Sequence, residues 1–376
     1  MAKISMLCKR TLAAFTTCSL WFLLPVVFPI FADRTLAETA ETHTRDSLVS
    51  TLKENSRPAL RVLADDRDFN IGTAVNVPIL EENDEYRKIL AREFNIVTAE
   101  NTMKFRWLHP QRDRFDFTAS DRFVAFAQNH GMKVRGHTLV WYKALPRWLR
   151  QGDWSREEAI AILEHHIKTV VGRYRGQIIA WDVVNDAILK DGALQDNFWL
   201  RTIGPEYIEI AFRAAREADP EALLIYNDFG AEEWGTKAEA IYQLVRSLQA
   251  KNVPIDGIGL QMHVSVDSPP DPEKVAETMS RFAALGLNVE ITEMDVRIKQ
   301  PTRERDWERQ ARVYENMLGV CLAAENCNTF VTWGFSDRHS WIPQFFEGWG
   351  EALPFDRDYK PKPAYYRLQD AFMTLF

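Results

Sequence analysis

From residue 69 onward, short apolar runs alternate with longer stretches in which apolar residues recur at helical spacing. The runs cover residues 70–75, 96–99, 133–136, 178–184, 222–226, 257–260, 288–291 and 329–333, eight in all. The intervening stretches carry recognisable helix starts. Ser155-Arg-Glu-Glu158 and Thr236-Lys-Ala-Glu239 have the spacing of capping boxes, and Asp271-Pro272 puts an N-cap before a first-turn proline. After Ser155, Ile160, Leu163, Ile167, Val170 and Val171 mark one buried helical stripe. Strand then helix, eight times over, implies parallel strands joined by right-handed crossovers, and eight such units close into a (β/α)8 barrel.

In such a barrel the chemistry sits at the C-terminal ends of the strands, so the polar residue that ends each apolar run becomes informative. Trp181-Asp-Val-Val-Asn-Asp186 ends in an amide and a carboxyl, and Asn288-Val-Glu-Ile-Thr-Glu-Met-Asp295 ends in two carboxyls. Glu100, Asn101 and Lys104 follow the second run, His137 and Trp141 the third, Asn227 and Asp228 the fifth, Gln261 and His263 the sixth. The eighth is followed by Asp337 and Trp341, with Trp333 at its end. Two strands that each deliver a carboxyl to one rim make the arrangement a glycosidase requires. Tryptophans add to this reading, because an indole offers a flat apolar face on which a sugar ring can lie and one N–H to donate. Of the 12 in the chain, Trp141, Trp333, Trp341 and Trp349 are expected in loops at that end.

The N-terminus has a different pattern. Lys3, Lys9 and Arg10 precede an uncharged apolar run from residue 12 to residue 31, and small residues follow. That order is a secretory signal over residues 1–32, with Pro25 and Pro29 favouring a cleaved leader over an anchor. A charged lead-in covers residues 33–57, and the catalytic domain is expected over 58–376. Loss of the leader removes three positive charges and no negative ones, taking the formal charge from −7 to −10. An acidic chain without a basic stripe is not a nucleic-acid binder. Of four cysteines only Cys321 and Cys327 lie outside the leader; in an exported chain they read as one short-range disulfide, the alternative being two buried thiols.

Several stretches, taken together and in order, resemble glycoside hydrolase family 10, the endo-β-1,4-xylanases. They are Gly72-Thr-Ala-Val-Asn76, Ala99-Glu-Asn-Thr-Met-Lys104, Arg135-Gly-His-Thr-Leu-Val-Trp141, Trp181-Asp-Val-Val-Asn185, Tyr226-Asn-Asp228, Gly257-Ile-Gly-Leu-Gln-Met-His263, Ile291-Thr-Glu293 and Thr332-Trp-Gly334. The resemblance runs from about residue 58 to 370 and implies retaining hydrolysis of xylan. It places Glu293 as nucleophile, His263 and Asp295 as the pair that holds it, and Asn185 as the amide on the sugar 2-hydroxyl. Glu100, Asn101, Lys104, His137, Trp141, Gln261, Trp333 and Trp341 fall at glycone-side binding positions, and Asn227 on the leaving side.

One departure bears directly on the chemistry. The family's acid/base is a glutamate, and here the residue is Asp186, whose arm is shorter by one carbon–carbon bond, ~1.5 Å. A second lies after Trp141, where Tyr142-Lys143 replaces the usual His and Gln-containing stretch. These residues admit two other readings. A xylan-binding barrel that no longer cuts is favoured by Asp186 and opposed by the intact Glu293, His263 and Asn185. A metal-dependent hydrolase draws on His137, His263 and Glu164-His165-His166, but the first strand ends without a histidine pair and the latter run reads as a solvated helix face. The expectation is therefore a secreted, monomeric xylanase acting on xylan or xylo-oligosaccharides, with no cofactor, no metal, no nucleic-acid partner and no stable membrane span in the mature chain.

Overall fold

The computed structural model describes residues 57–374; the expected leader and nearly all of the expected lead-in lie outside them. The strands in chain order are β1 (Asn70–Val75), β2 (Ile96–Ala99), β3 (Lys133–Trp141), β4 (Ala180–Asn185), β5 (Leu223–Asp228), β6 (Gly257–Leu260), β7 (His263–Ser265), β8 (Asn288–Lys299), β9 (Thr329–Thr332) and β10 (Trp349–Gly350). All except β7 and β10 form a closed ring of parallel strands. Each pairs with the next, β6 with β8, β8 with β9, and β9 returns to β1 through Asn70↔Thr329 to Thr73↔Thr332. The expected (β/α)8 barrel is the observed fold. Among the described residues, no helix is long and apolar enough to cross a membrane.

Several strand ends differ from the sequence expectation. β3 runs on to Trp141, β4 to Asn185 and β5 to Asp228, so these polar residues belong to the strands themselves. β8 continues six residues past Glu293 and is flanked by the short β7, parallel to it, and β10, antiparallel to it. Trp349 therefore sits in β10 beside Lys299, and not in a free loop. The pairing register shifts between His137 and Val140, between Asp182 and Val184, and between Ile291 and Met294. Such bulges gather at barrel rims and re-aim side chains, and these three surround the level of Glu293.

The helices clamp this ring. Ser155 and Glu158 exchange both bonds of a capping box at the start of helix Arg156–Arg173, and Asp271 caps helix Pro272–Ala283. Thr236 does not cap: it is already the first helical residue, with Gly235 before it, so its hydroxyl comes one position too late. Leu163, Ile167, Val170 and Val171 form the buried stripe, while Ile160 is only partly covered. His166 joins them, fully buried and stacked 3.5 Å from the Phe105 ring, which corrects the solvated reading of that run. Cys321 and Cys327 form the expected disulfide between the end of helix Glu304–Ala323 and the approach to β9.

The inside of the barrel is charged. Arg135, on β3, bonds Asp182 of β4 and Glu290 of β8, and all three side chains are sealed from water. A guanidinium left without these partners would be untenable there, and so would either carboxylate without the guanidinium. Asp182 also accepts from His137 Nδ1 at 2.9 Å, which carries this interior network up to the rim.

Candidate active site

Asp186 is the first residue beyond β4. Its backbone is left-handed, with φ of 56°, a conformation that Asp tolerates better than most side chains. Its N–H donates to the Asn227 carbonyl across the β4–β5 pair, and this fixes the turn. Asp186 as a residue is 7% exposed, and its carboxyl accepts from Trp141 Nε1 and Gln261 Nε2, one on each oxygen, both at 2.8 Å. Burial and the nearby charges of Asp228 and Glu293 push it up to about 7, against the pull of those two hydrogen bonds.

Glu293 lies within β8. One oxygen accepts from Asn227 Nδ2 at 2.6 Å, and the other stands 3.2 Å from His263 Nε2. Burial would raise this carboxyl; His137 and His263 overturn that and hold it below its ordinary value. The second ring nitrogen of His263 is 2.8 Å from Asp295, which also accepts from Trp341 Nε1 at 2.8 Å. Burial works against a charged His263, but the two carboxylates outweigh it and push the ring up to about 10. It is thus an imidazolium donating from both nitrogens, and it fixes Glu293 as an ionised carboxylate.

The two acids differ in state and share one frame. Asn227 Nδ2 bonds Glu293 and also Asn185 Oδ1, the latter at 2.8 Å; Gln261 Nε2 lies 3.4 Å from the same Asn185 oxygen and bonds Asp186. The oxygen of Asn185 is so occupied, and no acceptor among the described residues takes its Nδ2. Asn227 is fully buried beneath Asn185 and Glu293, with its own oxygen taken by Thr292. It has no surface for the leaving side that the sequence assigned it, and it orients instead. Gly259 makes room for it, since a Cβ there would lie 2.1 Å from the Asn227 oxygen.

Lys104 bonds Asn101 at 3.1 Å, and its ammonium lies 4.7 Å over the Trp141 ring and 5.9 Å over Trp333. Burial pulls Lys104 down, and Glu293 and Glu100 partly offset that. Burial raises Glu100, which accepts from Asn76. His137 meets Trp333 edge to face at 5.0 Å, and His263 meets Trp341 in the same way. Of the polar residues expected at the strand ends, Asp337 is engaged away from these groups, accepting from Lys362 Nζ at 2.7 Å and from the Leu353 N–H at 2.8 Å. Sequence reading missed the residues below the rim: Arg135, Asp182, Glu290 and Thr292, and the buried Asp228–Lys237 ion pair at 2.7 Å. His137, Asp182 and Glu293 bring possible metal donors within 4.8 Å of one another, but the guanidinium on Asp182 supplies the positive charge a cation would.

The family model for glycosyl hydrolase family 10 matches residues 59–371. The chain belongs to this family. It is 44% identical over 314 residues to endo-1,4-beta-xylanase B of Thermotoga neapolitana, covering 83% of this chain and 90% of that one. With an endo-1,4-beta-xylanase of Agaricus bisporus it shares 39% over 280 residues, 74% of this chain and 84% of the other. Among solved structures it is similar to xylanase 10B of Thermotoga petrophila in complex with xylobiose, with a TM-score of 0.82, 43% identity and coverage of 84% and 97%.

Proposed function

We propose that this family 10 chain is a retaining endo-1,4-β-xylanase in which Asp186 serves as acid/base and Glu293 as nucleophile. The observation that carries the reading is the pair of opposed acidities: one buried carboxyl pushed up to about 7 and its partner held low, joined through Gln261, Asn185 and Asn227. Two carboxyls so separated in acidity have separate tasks. Glu293, ionised, attacks the anomeric carbon; Asp186, protonated near neutrality, gives its proton to the departing glycosidic oxygen. Asp186 then takes a proton from the water that releases the glycosyl enzyme.

Asn185 donates its free N–H to the 2-hydroxyl of the sugar under attack. Glu100, Asn101, Lys104, His137, Gln261, Trp333 and Trp341 bind the glycone side. The xylobiose held by the T. petrophila relative supports a xylo-oligosaccharide as the ligand here, and export by the 1–32 leader would bring the enzyme to polymeric xylan.

The test is proton NMR of the first sugar released from xylohexaose. Retention gives the β-anomer first. An α-anomer would overturn the assignment of Glu293 as nucleophile, and tight binding without product would leave a barrel that holds xylan and does not cut it.

A further inference from the structure

Asp228 closes β5 beside the acid/base, because the register Asn185↔Asn227 makes Asp186 and Asp228 the next residues along neighbouring strands. It is buried, and four donors converge on its carboxylate. Oδ2 accepts from the Tyr226 hydroxyl at 2.7 Å and from the Ile188 N–H, two residues past Asp186, at 3.3 Å. Oδ1 accepts from the Phe229 N–H at 2.9 Å and from Lys237 Nζ at 2.7 Å. Lys237 enters from the first turn of helix Thr236–Ala250; it is buried too, with its ammonium 3.9 Å over the Phe229 ring. The backbone carbonyl of Asp228 accepts from the Gln261 N–H at 3.0 Å, and the Gln261 side chain in turn bonds Asp186. One residue thus holds both the turn that carries the acid/base and a group that hydrogen-bonds it.

A buried ion pair adds little to stability by itself, since packed apolar side chains of the same volume do as well or better. This one stands next to a carboxyl that has to hold a proton, where a fixed charge has a use. The charged and titratable groups that face Asp186 are Glu293 on β8, Asp228 and Tyr226 on β5, and Lys104 after β2. Tyr226 stays neutral, because burial raises its hydroxyl well above its ordinary value. Asp228 is itself faced by Asp186, Lys237, Tyr226 and, from helix Tyr207–Ala218, Tyr207. Burial raises the Asp228 carboxyl, and Lys237, Tyr226 and the Phe229 N–H work against that. Glu293 loses its charge once it is esterified to the sugar; Asp228 keeps its own. We infer that Asp228, with Lys237 behind it, is a positioning residue for the acid/base: it fixes the turn of Asp186 and presents to that side chain a negative charge that lasts through both steps of the reaction. This inference rests on the xylanase reading above. In the first step the charge keeps the proton on Asp186 until the glycosidic oxygen takes it. In the second, the water oxygen bonds the anomeric carbon, its proton passes to Asp186, and the electron pair of the broken ester bond returns to Glu293. Asp228 keeps Asp186 basic for that transfer while Glu293 is neutral.

The experiment follows the alkaline limb of kcat/KM on xylan in Asp228→Asn, which keeps an oxygen for the Ile188 N–H and drops the charge. The limb moves down by about 1 pH unit, the effect of removing one nearby like charge. On an aryl xylobioside whose leaving group needs no proton, kcat/KM keeps its wild-type pH profile. Asp228→Asn combined with Lys237→Met removes both buried charges; Lys237 stands on the oxygen away from the turn, so the limb again moves down, and this variant carries the test where the single one does not fold. A limb that stays at the wild-type pH in a folded variant, with activity lowered evenly across the range, overturns the inference and leaves Asp228 a structural brace; a limb that moves up overturns it too. A wild type that does not cut xylan, or cuts it with no alkaline limb, overturns the reading of Asp186 instead.

Discussion

Replacing Asp186 by glutamate tests the reach of the acid/base. The variant lengthens the arm by ~1.5 Å. In a retaining pair the two carboxyls stand roughly 5–5.5 Å apart, and the turn that carries the shorter aspartate is tied to Asn227 by a 3.0 Å backbone bond. A proton donor misplaced by about 1 Å costs on the order of 10²-fold in rate, or ~2.7 kcal/mol of transition-state stabilisation. Asp186→Glu is therefore expected to raise kcat/KM on xylan by up to ~10²-fold. The same change puts one more methylene into a filled pocket, at a left-handed position, so stability should fall by about 1–3 kcal/mol. The assay pairs xylan with an aryl xylobioside whose leaving group needs no proton. The gain should appear on xylan and be small on the aryl substrate. A folded variant with no gain on xylan would mean that Asp186 already reaches the oxygen, and an equal gain on both substrates would mean that leaving-group protonation is not what changed.

Other outcomes follow from the buried charges. Because Asp186 must hold a proton and is pushed up to about 7, kcat/KM on xylan should fall about tenfold per pH unit above that point; the aryl xylobioside should lack this limb, and a shared limb would assign it elsewhere. Arg135→Met leaves Asp182 and Glu290 buried without a counter-charge and should cost about 3–5 kcal/mol in urea unfolding, part of it recovered by adding Glu290→Gln. A loss below ~1 kcal/mol would show that the interior network is not what holds the barrel at that level. His166 has no partner on either ring nitrogen, and burial keeps it neutral well below its ordinary value of 6.5. The unfolded chain binds a proton there that the folded one refuses, so stability present above pH 6.5 is lost below it, by about 1.4 kcal/mol per unit. His166→Phe, which can stack on Phe105, should flatten that slope between neutral and acid pH; identical slopes would place the acid sensitivity at other groups.

What the sequence disclosed, it disclosed through alternation. Asp186 and Glu293 stood out because each interrupts an apolar run at a polar step, and the barrel follows from the count of such runs. The continuation of β8 was visible by the same rule, since Met294, Val296 and Ile298 alternate with polar residues beyond Glu293, but a catalytic acid looks like a strand end. His166 lies three residues after Leu163 and four before Val170, squarely on the buried stripe; its charged neighbours hid that. Arg135 precedes His137 by two, the spacing of one strand face, and Asp182 and Glu290 are likewise charges inside apolar strands. Each implied a buried partner, yet single strands cannot say which charge meets which. Pairing required the closed ring, and so did the discovery that Asn227 is covered.

The retaining assignment is tested most directly by trapping. A xylobioside bearing fluorine at C2 and a good leaving group should slow release of the glycosyl enzyme, and peptide mass spectrometry then reads which side chain carries the sugar. The adduct is expected on Glu293, on the peptide that spans β8. An adduct on Asp186 or any other residue, or steady turnover with no adduct at all, would contradict it.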